Sequence, residues 1–348
     1  MEILGNESLF LMPWREGAER HPVSQRMRAI AALRFYRNPD EREEILQEER
    51  ADLLYCIKNG FNDGVLSRKV PTGIHAIFRE SEFHGDIYAY VSRWLSGIMA
   101  YGQAPWVPHM VRLAETDEDL REVIGGRWPV GGDRKSVVGD RWPEVAIPKE
   151  ATVFGRHGGD DSFDIPWVQR LVVETAKERP DTWFLFLNTR EFRGAAGLPN
   201  IRFLPATADP VLKRRFLNTC DAMLHGRMRG ETFGLSCLEF AMLGKPVLTF
   251  ANSPEKAHLE ILGDAAVRYE SGKELKELLW DRSRWSVVGG RKVVVGGQCS
   301  EVCGRKAEAE AHRQPTTDYR LPSKLVDDKF KNFQPPAVMQ KFQEVFLR

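Results

Sequence analysis

Apolar and polar residues fall in blocks along this 348-residue chain, and the blocks are most regular in its second half. Ala151–Gly155, Trp183–Asn188, Ile201–Pro205, Ala222–His225 and Pro246–Phe250 are short apolar runs bounded by Gly, Pro, Asn or Asp. Their length and continuity predict strands buried on both faces. Between them the spacing turns helical. Asp164 with Pro166 predicts a capped helix to about Glu178, Asp209-Pro210 one through about Thr219, and Leu235–Leu243 one that stops at Gly244. Ser271 and Glu274 form a capping box for a helix to about Asp281. Short buried strands alternating with helices predict an α/β fold with a parallel sheet covered on both faces. Ligands on such sheets bind beyond the carboxyl ends of the strands.

The first half is less regular. Candidate strands are Ile3–Met12, Leu53–Ile57, Gly73–Phe78 and Ile87–Val91, and candidate helices are Ala18–Tyr36, Glu41–Arg50 and Arg93–Tyr101. Asn62-Asp63-Gly64 is a turn signal. At the other end, Val338, Met339, Phe342, Val345 and Phe346 share one face of a helix spanning about Pro336–Phe346, expected to pack back across the domains. Two segments interrupt the pattern. Arg127–Gly139 (RWPVGGDRKSVVG) and Arg284–Gly296 (RWSVVGGRKVVVG) agree at nine of thirteen positions. They read as copies of one inserted element outside the core, or as two small hairpins of the fold. The layout is then an N-terminal acceptor-side domain over 1–121, a linker with the first insert over 122–146, a donor domain over 147–283, the second insert over 284–314, and a C-terminal segment with its helix over 315–348.

Charge and composition narrow the function classes. Fifty basic and 49 acidic residues leave a formal charge of +1, too little for the electrostatic footprint of a nucleic-acid binder. No apolar stretch approaches the ~20 residues a membrane helix needs. Met1–Trp14 carries Glu2, Asn6 and Glu7, which makes a poor secretory signal, and Asn6-Glu7-Ser8 is a sequon of a kind common by chance. Five cysteines point to a reducing compartment. Cys299 and Cys303 lack a matching Cys/His pair, so no zinc site is expected there. A cytoplasmic location is expected.

The chemistry concentrates in Gly230–Phe250 (GETFGLSCLEFAMLGKPVLTF), where Glu231 and Glu239 have seven residues between them. With a helix starting near Leu235, the N–H groups of Gly234, Leu235 and Ser236 are unpaired donors, and with the helix dipole they suit a diphosphate. Gly234 lets a ligand approach the backbone closely. Glu239, a turn into the helix, is placed to take two ribose hydroxyls, as acidic residues do in other nucleotide sites. Glu231 points toward whatever hangs from the far phosphate. The plain alternative is a surface loop followed by a solvated helical glutamate. Arg156, just beyond the Ala151–Gly155 strand, is suited to pair with a diphosphate. Ser92 suits a helix cap. Lys58, Asn62 and Asp63 form a polar loop that suits a turn.

The run, followed by the Gly-x-Pro-Val strand, resembles the Glu-x7-Glu motif of retaining glycosyltransferases of the GT-B fold, glycosyltransferase family four (group 1) in particular. The resemblance covers about Ala151–Tyr269. It implies two Rossmann-like domains, with the first one here shortened: the chain begins at MEILGNES without that family's opening strand and glycine-rich loop. It implies that Glu231 contacts the transferred sugar and Glu239 the ribose, that amides of Phe233, Gly234 and Leu235 face sugar and phosphate, and that Arg156 faces the phosphates. A histidine after the matching first-domain strand faces the sugar or acceptor in the family, and the resemblance gives His75 that part, with a structural histidine as the plain alternative. The family's following lysine is replaced by Asp160-Asp161-Ser162, so Arg227 or Arg229 becomes the candidate second cation.

The reaction the resemblance implies needs no metal and no cofactor: a sugar passes, with retention, from a nucleoside-diphosphate sugar as co-substrate to an acceptor hydroxyl on a glycan, lipid or protein. Two rivals stand beside it. One is a non-catalytic protein with a degenerate GT-B fold that still binds a nucleotide sugar. The other is a glycoside hydrolase pairing Glu231 with Glu239, which the phosphate-binding context argues against.

Overall fold

The computed structural model describes residues 2–121, 146–285 and 328–347. The chain opens with strand β1 (Leu9–Pro13), helix α1 (Pro22–Arg28), β2 (Ala32–Tyr36), α2 (Pro39–Glu48), β3 (Leu54–Lys58), β4 (Thr72–Ala76), β5 (Ile87–Tyr90) and α3 (Arg93–Ala100). The second half runs β6 (Thr152–His157), α4 (Pro166–Glu178), β7 (Thr182–Leu187), β8 (Ile201–Leu204), α5 (Pro210–Thr219), β9 (Ala222–His225), β10 (Gly230–Glu231), α6 (Leu235–Ala241), β11 (Val247–Phe250), β12 (Glu255–Lys256), α7 (Ala257–Leu262), β13 (Ala266–Tyr269) and α8 (Gly272–Trp280). Helix α9 (Pro335–Phe346) follows near the C-terminus.

Six strands of the second half form one parallel sheet in the order β13-β11-β9-β6-β7-β8. Counted from β6, this is the doubly wound order 3-2-1-4-5-6, whose direction reverses between β6 and β9. All six residues of β7 and all four of β9 are buried, as their unbroken apolar runs require. Helices α4 and α8 cover one face through Val168, Val172, Leu275 and Leu279. The other face joins a core that continues into the first half: Ile74, Tyr90 and Leu95 share a cluster with Leu217, Phe240 and Leu259. The two halves therefore shield a common apolar surface.

The first half divides its strands between a three-stranded parallel sheet, β3-β4-β5, and a separate parallel pair, β1-β2. The long helix expected over Ala18–Tyr36 is not formed. A 3-10 turn (Ala18–Arg20) ends at His21, since the residue before a proline disfavours helix, and Pro22 restarts a seven-residue helix. Ala32–Tyr36 then becomes a strand because β1 offers it a full ladder from Leu9↔Ala32 to Pro13↔Tyr36. The first strand is also shorter than Ile3–Met12, with Gly5 in the left-handed region ahead of it. Helix α9 lays Val338, Met339, Phe342 and Phe346 against Ala89 and Val107 of the first half. Gly73 accommodates it: a Cβ there would lie 2.7 Å from the Phe346 ring.

Most of both repeated segments, and Cys299 and Cys303, lie outside the described residues. The second copy nonetheless begins inside the core. Trp285 is buried against Phe154, and its indole N–H donates to the Leu278 carbonyl at 2.7 Å.

Candidate functional site

The reversal point of the sheet gathers the polar side chains. Strand β6 ends in Arg156 and His157, its neighbour β9 ends in His225, and the loop after β9 carries Arg227 and Glu231 into α6. A tight local path puts them there. Gly230 has φ +77°, and a Cβ on it would lie 2.0 Å from the Glu255 carbonyl oxygen, because β10 pairs with β12 through Gly230↔Glu255. Gly234, with φ +93°, precedes Leu235, and no side chain caps the helix. The first N–H groups of α6 therefore have no intrahelical partner and no side-chain acceptor at the cap.

Each glutamate of the run is held by two basic groups. Glu231 Oε2 accepts from Arg227 at 2.7 Å, and Oε1 accepts from His225 Nε2 at 3.2 Å. Burial alone would raise its carboxyl, but His225 and Arg227 outweigh burial and bring it down to about 2. Glu239 Oε1 accepts from Lys213 Nζ, and Oε2 lies 2.9 Å from His157 Nε2. Here too burial acts upward and His157 and Lys213 win, so the carboxyl lies below its ordinary value. Both side chains are thus anions, only 17% and 8% exposed.

Arg156 is 3% exposed. Its guanidinium donates to Gly159 O at 3.0 Å, Thr189 Oγ1 at 2.5 Å and Ser162 Oγ at 2.5 Å. Burial lowers it to about 10, with Glu231 acting in the opposite sense. The cation is held by neutral oxygens of its own loop and of Thr189 beyond β7, with the Glu231 charge near enough to act on it. Gly158 keeps the approach narrow: a Cβ there would sit 3.1 Å from the guanidinium.

The structure brings Glu231, Glu239, Arg156 and the Phe233–Leu235 backbone to this one region. It does not bring His75 there. That ring lies on β4, one residue from its end and 2% exposed, with Nδ1 at 2.5 Å from the Tyr55 hydroxyl and Nε2 donating to Val107 O at 2.8 Å. Burial, then neighbouring His109, push it down to about 4. Both nitrogens of the neutral ring are committed to the protein, so the expectation that His75 faces a sugar is corrected. The first-half imidazole that reaches the run is His109, whose ring stacks edge-on with Phe233 at 5.2 Å. Arg229, the other candidate cation, pairs with Glu255 at 2.7 Å, leaving Arg227 at the site. Lys58 pairs with Asp63, and Asn62 Oδ1 accepts from Gly64 N at 3.1 Å, as a turn requires.

Ser92 caps α3 by accepting from Leu95 N at 3.1 Å, as expected, and its hydroxyl also donates to the Thr232 carbonyl at 2.7 Å. Asp164 departs from its expected role. It does not cap α4. Its Oδ1 accepts from Met228 N at 2.6 Å and steadies the loop before Glu231. The sequence reading missed Lys213, His225, Thr249 and His258. Lys213 is one polar residue among several on an amphipathic helix. His225 and Thr249 meet because β9 and β11 pair in the register Thr249↔His225, which requires knowing that those strands are neighbours. Among the described residues, no group of three or more His, Cys, Asp or Glu side chains is placed to hold a metal ion, and no helix is long and apolar enough to cross a membrane.

No protein-family profile matches the chain, and no curated protein matches it. Solved structures do resemble it. AviGT4, a glycosyltransferase involved in avilamycin A biosynthesis, aligns over 98% of this chain and 97% of its own at 10% identity, with a TM-score of 0.51. Anabaena Alr3699/HepE in complex with UDP-glucose aligns over 97% of this chain and 98% of its own at 12% identity and TM-score 0.48. A glycosyltransferase from Rickettsia africae ESF-5 aligns over 79% of this chain and 87% of its own at 10% identity and TM-score 0.47. The AviGT4 likeness shows the fold, an α/β architecture of GT-B type.

Proposed function

We propose that this protein transfers a sugar from a nucleoside-diphosphate sugar to an acceptor hydroxyl, with retention and without a metal, in the manner of glycosyltransferase family four. One observation carries the reading: both carboxylates of the Glu-x7-Glu run and the buried Arg156 meet at the reversal point of a 3-2-1-4-5-6 sheet. Dinucleotides and mononucleotides bind at such points because loops diverge there and helix N-termini face the gap. A GT-B fold supports the reading in general terms.

In this reading the diphosphate lies over the opening of α6, toward Arg156. Charge that develops on its oxygen as the bond to the anomeric carbon breaks meets fixed donors. The acceptor oxygen forms the new bond to that carbon, and its proton ends on the released nucleoside diphosphate. Glu239 takes the ribose hydroxyls. Lys213 is 32% exposed and yields its place on Oε1 to them. Glu231 faces the transferred sugar, with Arg227 standing in for the lysine missing after Arg156. Donor base, sugar and acceptor follow from contacts the bound ligands would make.

The test is a thermal-shift screen of the purified protein against nucleoside diphosphates and their sugars, followed by release assays on those that bind. A bound donor raises the melting temperature with its saturation. Absence of a shift with every nucleotide would overturn the proposal. Binding without transfer or donor hydrolysis would favour a degenerate, non-catalytic GT-B protein, a reading to which the internal ion pairs on both glutamates give some support.

A further inference from the structure

Behind Glu231 runs a line of three side chains from three elements, β9, β11 and α7. His225 Nε2 donates to Glu231 Oε1 at 3.2 Å. His225 Nδ1 lies 2.9 Å from Thr249 Oγ1, and Thr249 Oγ1 lies 3.0 Å from His258 Nε2. Thr249 and His258 are completely buried, and His225 nearly so. The backbone of His225 is fixed as well, its carbonyl accepting from the buried Tyr269 hydroxyl at 2.9 Å. Gly234 closes the cluster over α7, since a Cβ there would meet the His258 Cβ at 2.8 Å and the Glu231 side chain at 3.4 Å.

Taken with both rings neutral, the donors and acceptors permit one order. A carboxylate only accepts, so the His225 proton must sit on Nε2. Nδ1 is then an acceptor, and the Thr249 hydroxyl must donate to it. The same oxygen then accepts from His258 Nε2–H. Every bond in the line points toward Glu231, and each polarises the next. His258 Nδ1 makes no aligned hydrogen bond among the described residues, and the ring also lies beside the Glu231 backbone, so the line ends inside the protein rather than in solvent.

We propose that His225 is a positioning residue for Glu231, and that Thr249 and His258 hold its ring in the tautomer that presents Nε2–H to the carboxylate. The proposal rests on the reading that Glu231 faces the transferred sugar. Arg227 fixes one oxygen of Glu231 and His225 the other, so the carboxylate plane is set from both sides. The ring acts through Glu231 and needs no contact with the donor.

The decisive measurement is histidine ¹⁵N NMR on the full chain, with His225 assigned by the signal lost in His225→Gln. Wild type and Thr249→Ser should show His225 as a single Nε2–H tautomer, and Thr249→Val should show a tautomer mixture. An unchanged pattern in Thr249→Val would overturn the proposal. This readout requires no substrate, so it tests the tautomer part of the proposal even if no nucleotide binds and the functional reading fails. Kinetics supply the second arm, using the nucleotide sugar found to bind. His225→Phe should lower kcat by about 10²-fold through loss of orientation, with nucleoside diphosphate affinity unchanged. His225→Gln keeps a donor near the Nε2 place and should recover part of that loss. If glutamine did no better than phenylalanine, or if the loss lay in KM alone, the positioning role would be wrong. Should Thr249→Val fail to fold, the comparison of glutamine with phenylalanine at 225 decides alone.

Discussion

The Ser92 hydroxyl donates to the Thr232 carbonyl at 2.7 Å, and this bond ties the start of α3 in the first half to the residue after Glu231 in the second. Ser92 is 3% exposed, and it also caps α3. One side chain thus satisfies a helix end and a buried carbonyl 140 residues away.

Ser92→Ala removes both bonds. A lost N-cap costs about 1 kcal/mol, and a buried carbonyl left without its donor costs about 1–3 kcal/mol more. Urea denaturation should show a loss on the order of 2–4 kcal/mol. A loss under half a kcal/mol would mean that water replaces the hydroxyl.

Glu239→Ala should weaken nucleotide binding by about 1.5–3 kcal/mol, the worth of hydrogen bonds to a charged acceptor. Titration calorimetry would read this as a roughly ten- to hundredfold rise in Kd. Lys213→Met serves as the contrast: it frees Glu239 Oε1 and should leave affinity equal or better. Unchanged affinity in Glu239→Ala would remove Glu239 from the ribose site.

Acid should destabilise the fold in a defined window through Glu231. Its folded-state value of about 2 lies below the ordinary 4.5, so the unfolded chain takes up the proton first as the pH falls. The contribution is complete above about pH 4.5 and is lost on the way down through pH 2, on the order of 3 kcal/mol in all. Stability of Glu231→Gln measured over the same window should fall less steeply than that of wild type.

A second window opens at milder pH. Burial holds both His75 and His109 neutral, at about 4 against an ordinary 6.5. The unfolded chain again protonates first, so stability is complete above about pH 6.5 and declines toward pH 4. His109→Phe should flatten this decline and keep the edge-on contact with Phe233. An identical pH profile for the variant would show that His109 does not carry the effect.

Gly230→Ala should be among the most damaging single-methyl additions at the site. It combines a left-handed φ with a Cβ 2.0 Å from the Glu255 carbonyl, which is backbone and cannot swing aside. A loss of about 2–3 kcal/mol or more is expected, along with poorer nucleotide binding. Gly64→Ala controls for the conformational part alone, since it has φ +74° with nothing within 4 Å.

Legibility followed the kind of interaction that places each residue. Strand β9 was readable to the residue, because Ala222–His225 is a continuous apolar run closed by Gly226, and α5 because Asp209 accepts from Val211 N at 2.8 Å just ahead of Pro210. These signals act within a few residues. The helix expected over Ala18–Tyr36 failed because the ladder that makes Ala32–Tyr36 a strand comes from β1, some twenty residues away. Asp164 has the right chemistry for a cap, yet it serves Met228, 64 residues on.

The candidate site divides along the same line. Local pattern alone identifies Glu231, Gly234 and Glu239, since a turn, a helix start and a carboxylate one turn in are consequences of short-range backbone geometry. Arg156 follows from its place at a strand end. What the folded chain alone decides is which distant partners these residues meet. Lys213 of α5 and His157 of β6 reach Glu239 from remote parts of the chain, whereas Arg227 and His225 stand only four and six residues from Glu231. His75 was set aside by the same rule. Its type and place suit a ligand, but Tyr55 and Val107, brought in by neighbouring segments, take both of its nitrogens. Electrostatic partners are matters of distance in space, and strand order and register, which spacing along the chain does not encode, determine that distance.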